Sequence, residues 1–311
     1  MNAPPAHGLP ARDGVSPSCV GLPPGDWPTI TDFLVQRFPA ITRDTWLQRM
    51  RDGLVADEFG AAVTAQRPYR GHMRVYYYRA LEDEPRVPFE AEVLYQDEHL
   101  VVADKPHFLP VTPSGRYVQE TLLVRLRKSL GLQGLAPLHR IDRETAGLVL
   151  FSVNPAERDA YQALFRRHEV EKHYEAIAPW REDMAFPLVR QSRIVQGEPF
   201  FRQQEAAGPA NSETRISVLE VLGEHARYAL SPVTGKKHQL RVHMHALGIP
   251  ILNDRIYPPV HPTPDDDYAH PLQLLAQSLR FRDPLTGRDR VFQTRLRLHP
   301  GLPPRLPAAG N

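Results

Sequence analysis

Residues 138–147 read LHRIDRETAG, and this segment leads without a break into the apolar run GLVLFSV at residues 147–153. The run is short, nearly continuous and rich in residues that favour β structure, so it predicts a buried strand. Asp142 lies between Arg140 and Arg143, just before that strand. Because nearby positive charge favours the ionised form of a carboxyl group, we expect an anionic Asp142 at the edge of a sheet. Such a carboxylate is a candidate nucleophile or base, although a loop aspartate in ordinary salt bridges explains the same pattern.

Short strands and helices surround this segment without a regular order. Apolar alternation and apolar runs predict strands at residues 92–95, 100–103, 170–178, 214–222, 226–231, 277–281 and 290–296, and helical spacing predicts helices at 122–130, 155–168 and 237–247. Strand and helix do not alternate as they do in a parallel α/β protein. The sequence therefore predicts an α+β fold with a mixed or antiparallel sheet and flanking helices.

Proline divides the chain into expected domains. Of the 32 prolines, seven lie in residues 1–28 and four in 300–311, so residues 1–26 and 300–311 are expected to be disordered or extended tails. The polar, proline-punctuated stretch 82–88 predicts a linker. A small N-terminal domain is expected at 27–82 and the larger catalytic domain at 88–299.

The overall composition excludes several classes of protein. Lys and Arg number 38 against 36 Asp and Glu, so any polyanionic partner must be held by a local patch rather than by net charge. A single cysteine, Cys19, excludes an internal disulfide framework. No apolar run is long enough to span a bilayer and no secretory signal is visible, so we expect a cytoplasmic enzyme without a membrane partner.

Two further segments carry candidate functional groups. Residues 234–245 read TGKKHQLRVHMH, and a helix beginning there would place Lys236 and Lys237 at its positive end, which favours phosphate, although a solvated helix end is the simpler explanation. On a strand at 170–176, Tyr174 can stack on a base or serve as an acid or base, while a half-buried strand tyrosine is the ordinary interpretation. The histidines at 238, 243 and 245 lack the i, i+4 spacing of a helical zinc pair, so no metal is expected.

Together the three segments resemble the RluA-type family of RNA pseudouridine synthases. Residues 139–148 match the family string His-Arg-(Leu/Ile)-Asp-Arg-x-Thr-(Ser/Ala)-Gly-Leu, Lys172 to Tyr174 match its Lys-x-Tyr motif, and residues 235–243 match its Gly-Arg-x-His-Gln-(Ile/Leu)-Arg-x-His motif. Residues 94–106 resemble the opening of the family, which ends in Lys-Pro. The resemblance covers residues 90–298.

The resemblance implies an eight-stranded mixed sheet flanked by helices and the conversion of a uridine in RNA to its C5-linked isomer, without cofactor or metal. It makes Asp142 the catalytic aspartate and Arg241 its partner, and it places Tyr174 against the uracil ring as a candidate for removing the C5 proton. The remaining implied substrate contacts are Arg140, which helps to displace the target nucleotide, Leu240, which lines the base pocket, and His139, Lys236, Lys237 and His238.

Several alternatives stay open at this point. The substrate is ribosomal or transfer RNA, and Asp142 either attacks C1′ of the ribose or abstracts the C2′ proton. A catalytically inactive RNA-binding homologue, an RNA chaperone and a metal-dependent hydrolase are the competing functions. Residues 29–80 resemble the small α-L RNA-binding domain, and a monomer is expected. Lys236 stands where Arg is usual and Pro258 where Gly is usual, which bears on the choice of RNA more than on the reaction.

Overall fold

The structure is a computed structural model that describes residues 9–79, 84–258, 264 and 267–299. The chain divides into two compact units, the first formed by residues 1–85, 113–120 and 124–133 and the second by 86–112, 121–123 and 134–311. Within the described ranges, no helix combines the length and the apolar character that crossing a membrane requires.

The first unit is a small three-stranded sheet with helices. Its strands pair in the order β1-β3-β2, all antiparallel, and its elements are β1 (Ser18–Gly21), α1 (Ile30–Arg37), α2 (Arg43–Arg51), β2 (Val55–Asp57) and β3 (Arg74–Tyr77). Trp46 and Leu34 are fully buried in its core, together with Ile30 and Val55. Most of helix α3 (Leu122–Leu130) also belongs to this unit.

The second unit is built on one large mixed sheet. Its strands are β4 (Glu92–Gln96), β5 (Leu100–Lys105), β6 (Ala136–Pro137), β7 (Ala146–Ser152), β8 (Glu171–Pro179), β9 (Leu188–Gln196), β10 (Gln203–Ala206), β11 (Ser212–Leu222), β12 (His225–Pro232), β13 (Leu274–Arg282) and β14 (Asp289–Gln293). They pair in the order β10-β9-β11-β12-β8-β13-β7-β5-β4, with β14 on β13 and β6 on β7. Helices α4 (Arg158–Arg166) and α5 (Gln239–Ala246) complete the unit.

The parallel pairing of β7 with β13 lies where the 138–147 segment enters the sheet. Gly147 stands opposite Ala276 with φ +108°. A Cβ atom at Gly147 would lie 2.3 Å from the carbonyl oxygen of Ala276, so only glycine allows the two strands to approach this closely. The glycine at the end of the segment is therefore required by the sheet.

Each of the two helices of this unit covers part of the sheet with apolar side chains. Leu240 and Met244 of α5 pack in one cluster with Ala176 of β8 and Tyr228 of β12. Tyr161 and Leu164 of α4 pack in a second cluster with residues of β5, β7 and β13. The first cluster positions α5 beside β8, and this arrangement sets the geometry of the site described below.

The predicted α+β class and the mixed sheet are confirmed. Among the described residues the sheet has eleven strands, where eight were expected, because short strands such as β6 and β10 extend it. Strand β10 was not among the predicted strands, since hydrophilic residues at a sheet edge carry no apolar signal.

The expected N-terminal tail differs from the structure in its described part. Residues 18–21 form β1, which pairs along its whole length with β3, so the first unit begins before residue 27. Residues 1–8, part of the expected linker and the expected C-terminal tail at 300–311 lie outside the described residues.

Candidate active site

The loop that carries Asp142 is held by the end of β5. The Lys105 ammonium donates to the carbonyl oxygens of Arg143 at 3.0 Å and Pro106 at 2.8 Å. The Arg143 Nε donates to the Phe108 carbonyl oxygen at 3.1 Å, and a ring nitrogen of His107 lies 2.6 Å from the Glu144 carbonyl oxygen. These bonds to the backbone fix the path of the chain just before β7.

Arg241, on α5, connects Asp142 to a second carboxylate. The Arg241 side chain is 1% exposed, and its Nη1 donates to Oδ2 of Asp142 at 3.1 Å. Its Nε and Nη2 donate to the two oxygens of Asp254, both at 2.7 Å. Asp254 is 0% exposed and also accepts the backbone N–H groups of Ile256 and Tyr257. A bidentate pair of this kind fixes the guanidinium plane, so Nη1 is held in the orientation in which it donates to Asp142.

Asp142 is poised as an anion. Burial acts to raise its pKa, but His238 in its protonated form, the charges of Arg241 and Lys105 and the hydrogen bond from Arg241 outweigh burial and hold the pKa below its ordinary value. Its side chain remains 26% exposed. The carboxylate is thus charged at neutral pH and still open to a reactant.

His238 faces the other oxygen of the carboxylate. Its Nε2 lies 3.8 Å from Oδ1 of Asp142, and its Nδ1 lies 3.1 Å from the Tyr257 hydroxyl. The Tyr257 hydroxyl accepts the backbone N–H of Gln203 at 2.8 Å. Burial lowers the pKa of His238 to about 4, so the imidazole is neutral at physiological pH.

Tyr174 comes to the site from β8. It pairs with Ala276 on one side and Leu230 on the other, and its half-buried ring packs against the apolar cluster that contains Leu240. Burial and the negative charge of Asp142 raise the Tyr174 pKa above its ordinary value. The phenol is therefore protonated at neutral pH, and it lies close enough to Asp142 for the negative charge to affect its pKa.

Basic side chains surround this centre. Lys236 and Lys237 are exposed at the start of α5, and Gln239 holds their loop by accepting the Lys236 backbone N–H at 3.0 Å. The Lys172 ammonium supports the same loop through the Thr234 carbonyl oxygen at 3.0 Å. Arg140 is exposed and makes no polar contact with the part of the chain that the structure describes.

Two of the motif histidines are used inside the protein. The His139 Nε2 accepts the Leu150 N–H at 3.1 Å, and the ring stacks on Phe165 at 4.9 Å. This placement argues against the substrate contact expected for His139. His243 is 0% exposed, and its ring nitrogens contact the hydroxyls of Thr214, Ser212 and Ser192. Over the described ranges, no three His, Cys, Asp or Glu side chains are grouped so that they could hold a metal ion.

Sequence reasoning missed Asp254, Tyr257 and the role of Lys105. The Lys-Pro pair was noted only as the end of a strand and as part of a motif. Asp254 is the first acidic residue after Arg241 in the chain, and a buried arginine requires a carboxylate partner, so this signal could have identified it. Tyr257 gives no local signal, because only the fold brings it to His238.

Comparisons with known proteins identify related sequences. A family model described as RNA pseudouridylate synthase matches residues 99–246. An uncharacterized RNA pseudouridine synthase from Synechocystis sp. is 32% identical over 232 residues, which cover 73% of this chain and 79% of that protein. The dual-specificity RNA pseudouridine synthase RluA of Haemophilus influenzae is 32% identical over 219 residues, which cover 69% of this chain and 97% of that protein.

The fold is also similar to a solved structure. Human RNA Pseudouridylate Synthase Domain Containing 1 matches with a TM-score of 0.54 and 23% identity, over 68% of this chain and 86% of that one. The sequence relatives, matched over most of their length, establish more than the fold. The chain belongs to the RluA-type family of RNA pseudouridine synthases, which are isomerases acting on RNA.

Proposed function

We propose that this enzyme converts a specific uridine of ribosomal or transfer RNA to pseudouridine and that Asp142 is its catalytic carboxylate. The observation that carries the proposal is the contact between the partly exposed carboxylate of Asp142 and the fully buried guanidinium of Arg241, at 3.1 Å. The name of the Haemophilus relative describes a dual-specificity RNA enzyme, which supports an RNA substrate here. We expect the enzyme to act as a monomer in the cytoplasm.

The reaction breaks the C1′–N1 bond, turns the uracil and forms a C1′–C5 bond, while C5 loses a proton and N1 gains one. An ionised Asp142 can start the reaction in two ways: it attacks C1′ and displaces uracil, or it takes the C2′ proton so that the base leaves. Both routes need the Asp142 carboxylate to be ionised and held in one orientation. Arg241 supplies the direction because Asp254 holds its other two nitrogen donors.

Tyr174 is proposed to lie against the uracil and to take the C5 proton after the new bond has formed. The charge of Asp142 is one cause of its raised pKa. When the C1′–C5 bond forms, Asp142 returns to its anionic form in both routes. Tyr174 therefore takes the C5 proton only as its own phenolic proton leaves, and that proton balances the one that N1 gains. Stacking of the extruded base on the Tyr174 ring would stabilise the bound RNA by about 1–3 kcal/mol.

The remaining contacts bind the RNA. Leu240, buried beside Tyr174 in the same apolar cluster, is proposed to line the base pocket. Arg140, exposed near Asp142 in the chain, is proposed to help displace the target nucleotide from its stack. Removing a base from its stack costs a few kcal/mol. Lys236 and Lys237 are proposed to bind phosphates, and His238 to contact the ribose side of the site.

The proposal is tested by mapping pseudouridine in total RNA from a deletion strain and by tritium release from C5-labelled RNA of that strain. We expect one or more uridines to lose the modification, and purified protein to restore it. Asp142→Asn should lower turnover at least about a thousandfold. Glu144→Gln is the matched control, because this neighbouring carboxylate pairs with Arg143 at 3.2 Å rather than with Arg241.

Three outcomes would contradict the proposal. Retained turnover in Asp142→Asn would remove Asp142 from its role. RNA binding by the wild-type protein that is unchanged in Asp142→Asn, with no isomerisation by either, would identify an inactive RNA-binding homologue or an RNA chaperone. Stoichiometric metal in purified protein, required for turnover, would favour a hydrolase.

A further inference from the structure

Three arginines converge on one aromatic cluster in the N-terminal unit, far along the chain from Asp142. The Arg37 guanidinium lies over Phe38 at 5.5 Å, and the Arg49 guanidinium lies over Trp46 at 5.2 Å. The rings of Phe38 and Trp46 both contact Tyr77, at 5.6 and 5.2 Å between centroids.

Arg79 joins the same cluster, since it follows Tyr77 by two residues. Burial raises the pKa of Tyr77, and the charges of Arg79, Arg49 and Arg37 oppose that effect. All three guanidinium groups therefore lie near one phenol. We call Arg37, Arg49 and Arg79 the arginine cluster.

The positive charge of the arginine cluster is not balanced by carboxylates of the residues that the structure describes. In the described part of the chain, none of the three arginines forms an ion pair with a carboxylate, although the neighbouring Arg43 and Arg67 do. Nη1 of Arg49, Nη2 of Arg79 and the indole nitrogen of Trp46 are buried without a hydrogen-bond acceptor. The site is rich in donors and poor in acceptors.

Like charges held together without a counter-charge are unfavourable. Burial lowers the pKa of Arg49, and the charge of Arg79 lowers it further although Tyr77 acts in the opposite direction, so the charged form of Arg49 is less favoured than that of a free arginine. Arg37 is exposed and Arg49 and Arg79 are half-buried, so an anion can reach the cluster from solvent. Guanidinium groups match the geometry of phosphate oxygens, and a phosphate would supply the missing acceptors.

We infer that the arginine cluster of the N-terminal unit is a binding site for a backbone phosphate of the RNA substrate. The choice of RNA rests on the proposed function, because a chain that acts on RNA meets that polyanion in every turnover. The site would add affinity for RNA through the N-terminal unit. Its loss should therefore raise KM for RNA and leave kcat unchanged.

The experiment measures binding of a twelve-residue oligo(U) probe to the full-length protein over a range of salt concentrations. In the double variant Arg49→Gln/Arg79→Gln we expect about tenfold weaker binding near 0.1 M salt. The slope of log affinity against log salt should fall by about 0.7 for each lost phosphate contact. Arg49→Lys/Arg79→Lys should keep the slope because the charges remain, and it guards against a variant that fails to fold.

The matched control removes the same charge from the same unit. Arg51 and Arg70 are exposed, and Arg51 is bound to the side chain of Gln48. Arg51→Gln/Arg70→Gln should bind the probe within twofold of wild type. The inference is overturned if the two Gln double variants behave alike. If both bind the probe like wild type, the cluster does not contribute to binding. If both weaken binding equally, only the net charge of the unit matters.

The experiments distinguish failure of the phosphate site from failure of the proposed reaction. If the cluster variant loses probe affinity but wild-type protein modifies no uridine, the phosphate site stands and the proposed reaction fails. If wild-type protein forms pseudouridine and the cluster variant has unchanged KM and salt slope, the reaction stands and the phosphate site fails.

Discussion

Asp254 offers a sharp test of how the fold aims the candidate catalytic carboxylate. Its Oδ1 accepts Arg241 Nη2 at 2.7 Å and two backbone N–H groups, and its Oδ2 accepts Arg241 Nε at 2.7 Å. In Asp254→Asn one oxygen keeps its bonds, while the amide nitrogen replaces the other and opposes Nε with a second donor. The change also removes the counter-charge of an arginine that is 1% exposed.

The magnitude follows from that geometry. Breaking a buried ion pair by neutralising one partner costs about 3–5 kcal/mol of the free energy of unfolding. The guanidinium then keeps its bond to the remaining oxygen at position 254 but loses the bidentate pair, so Nη1 no longer has a fixed direction. A displacement on the order of 1 Å at a reacting group lowers turnover about a hundredfold. We therefore expect kcat to fall about a hundredfold while the Kd for RNA stays close to that of wild type.

Urea unfolding gives the stability change, and tritium release well below the melting temperature gives kcat. Asp267→Asn is the matched control, because Asp267 also pairs with an arginine, Arg255, at 3.1 Å, but is 27% exposed. It should cost under about 1 kcal/mol and leave kcat unchanged. An Asp254→Asn protein with wild-type stability and wild-type kcat would refute the role assigned to this carboxylate.

Three further outcomes are expected. Gly147→Ala should lower the free energy of unfolding in urea by at least about 3 kcal/mol, since the new Cβ would lie 2.3 Å from a carbonyl oxygen of the adjacent strand. The control Gly131→Ala, with φ +69° and open space around it, should cost only about 1–2 kcal/mol, and equal losses would disprove the steric argument. Burial lowers the pKa of His243 from 6.5 to about 4, so between these pH values the unfolded chain binds more protons than the folded one, and the free energy of unfolding falls as pH drops from 6.5 towards 4. His243→Asn should remove about 3 kcal/mol of that pH dependence, and an unaltered profile of stability against pH would contradict this prediction. Replacing Lys236 and Lys237 by Ala should lower the salt slope of RNA binding, and an unchanged slope would mean that these exposed lysines miss the phosphates.

Much of the local structure could be predicted because it is encoded by neighbouring residues. The apolar run before Val153 predicts β7, observed at Ala146–Ser152, and helical spacing predicts α5 within 237–247, observed at Gln239–Ala246. The β9–β10 hairpin was missed because its exposed strands alternate weakly and its pairing depends on the rest of the sheet.

For the site, motifs could identify residue types but not partners. The pairing of Asp142 with Arg241 was expected from family resemblance, and the residues lie 3.1 Å apart although 99 positions separate them in the chain. His139 belongs to the same motif, yet its ring contacts the backbone of β7 rather than facing the site. A motif cannot distinguish these two cases, because burial and direction arise only when distant elements pack.

The amino-acid sequence by itself determined the elements, the family and the presence of an anionic aspartate among basic residues, since periodicity, charge and short motifs are local properties. The tertiary structure alone decided that Asp254 holds Arg241, that Tyr257 orients His238, and that three arginines of the N-terminal unit form no ion pair with a carboxylate of the described residues. The reason is physical: hydrogen bonding and desolvation act over a few ångströms of space, and only the folded chain sets those distances.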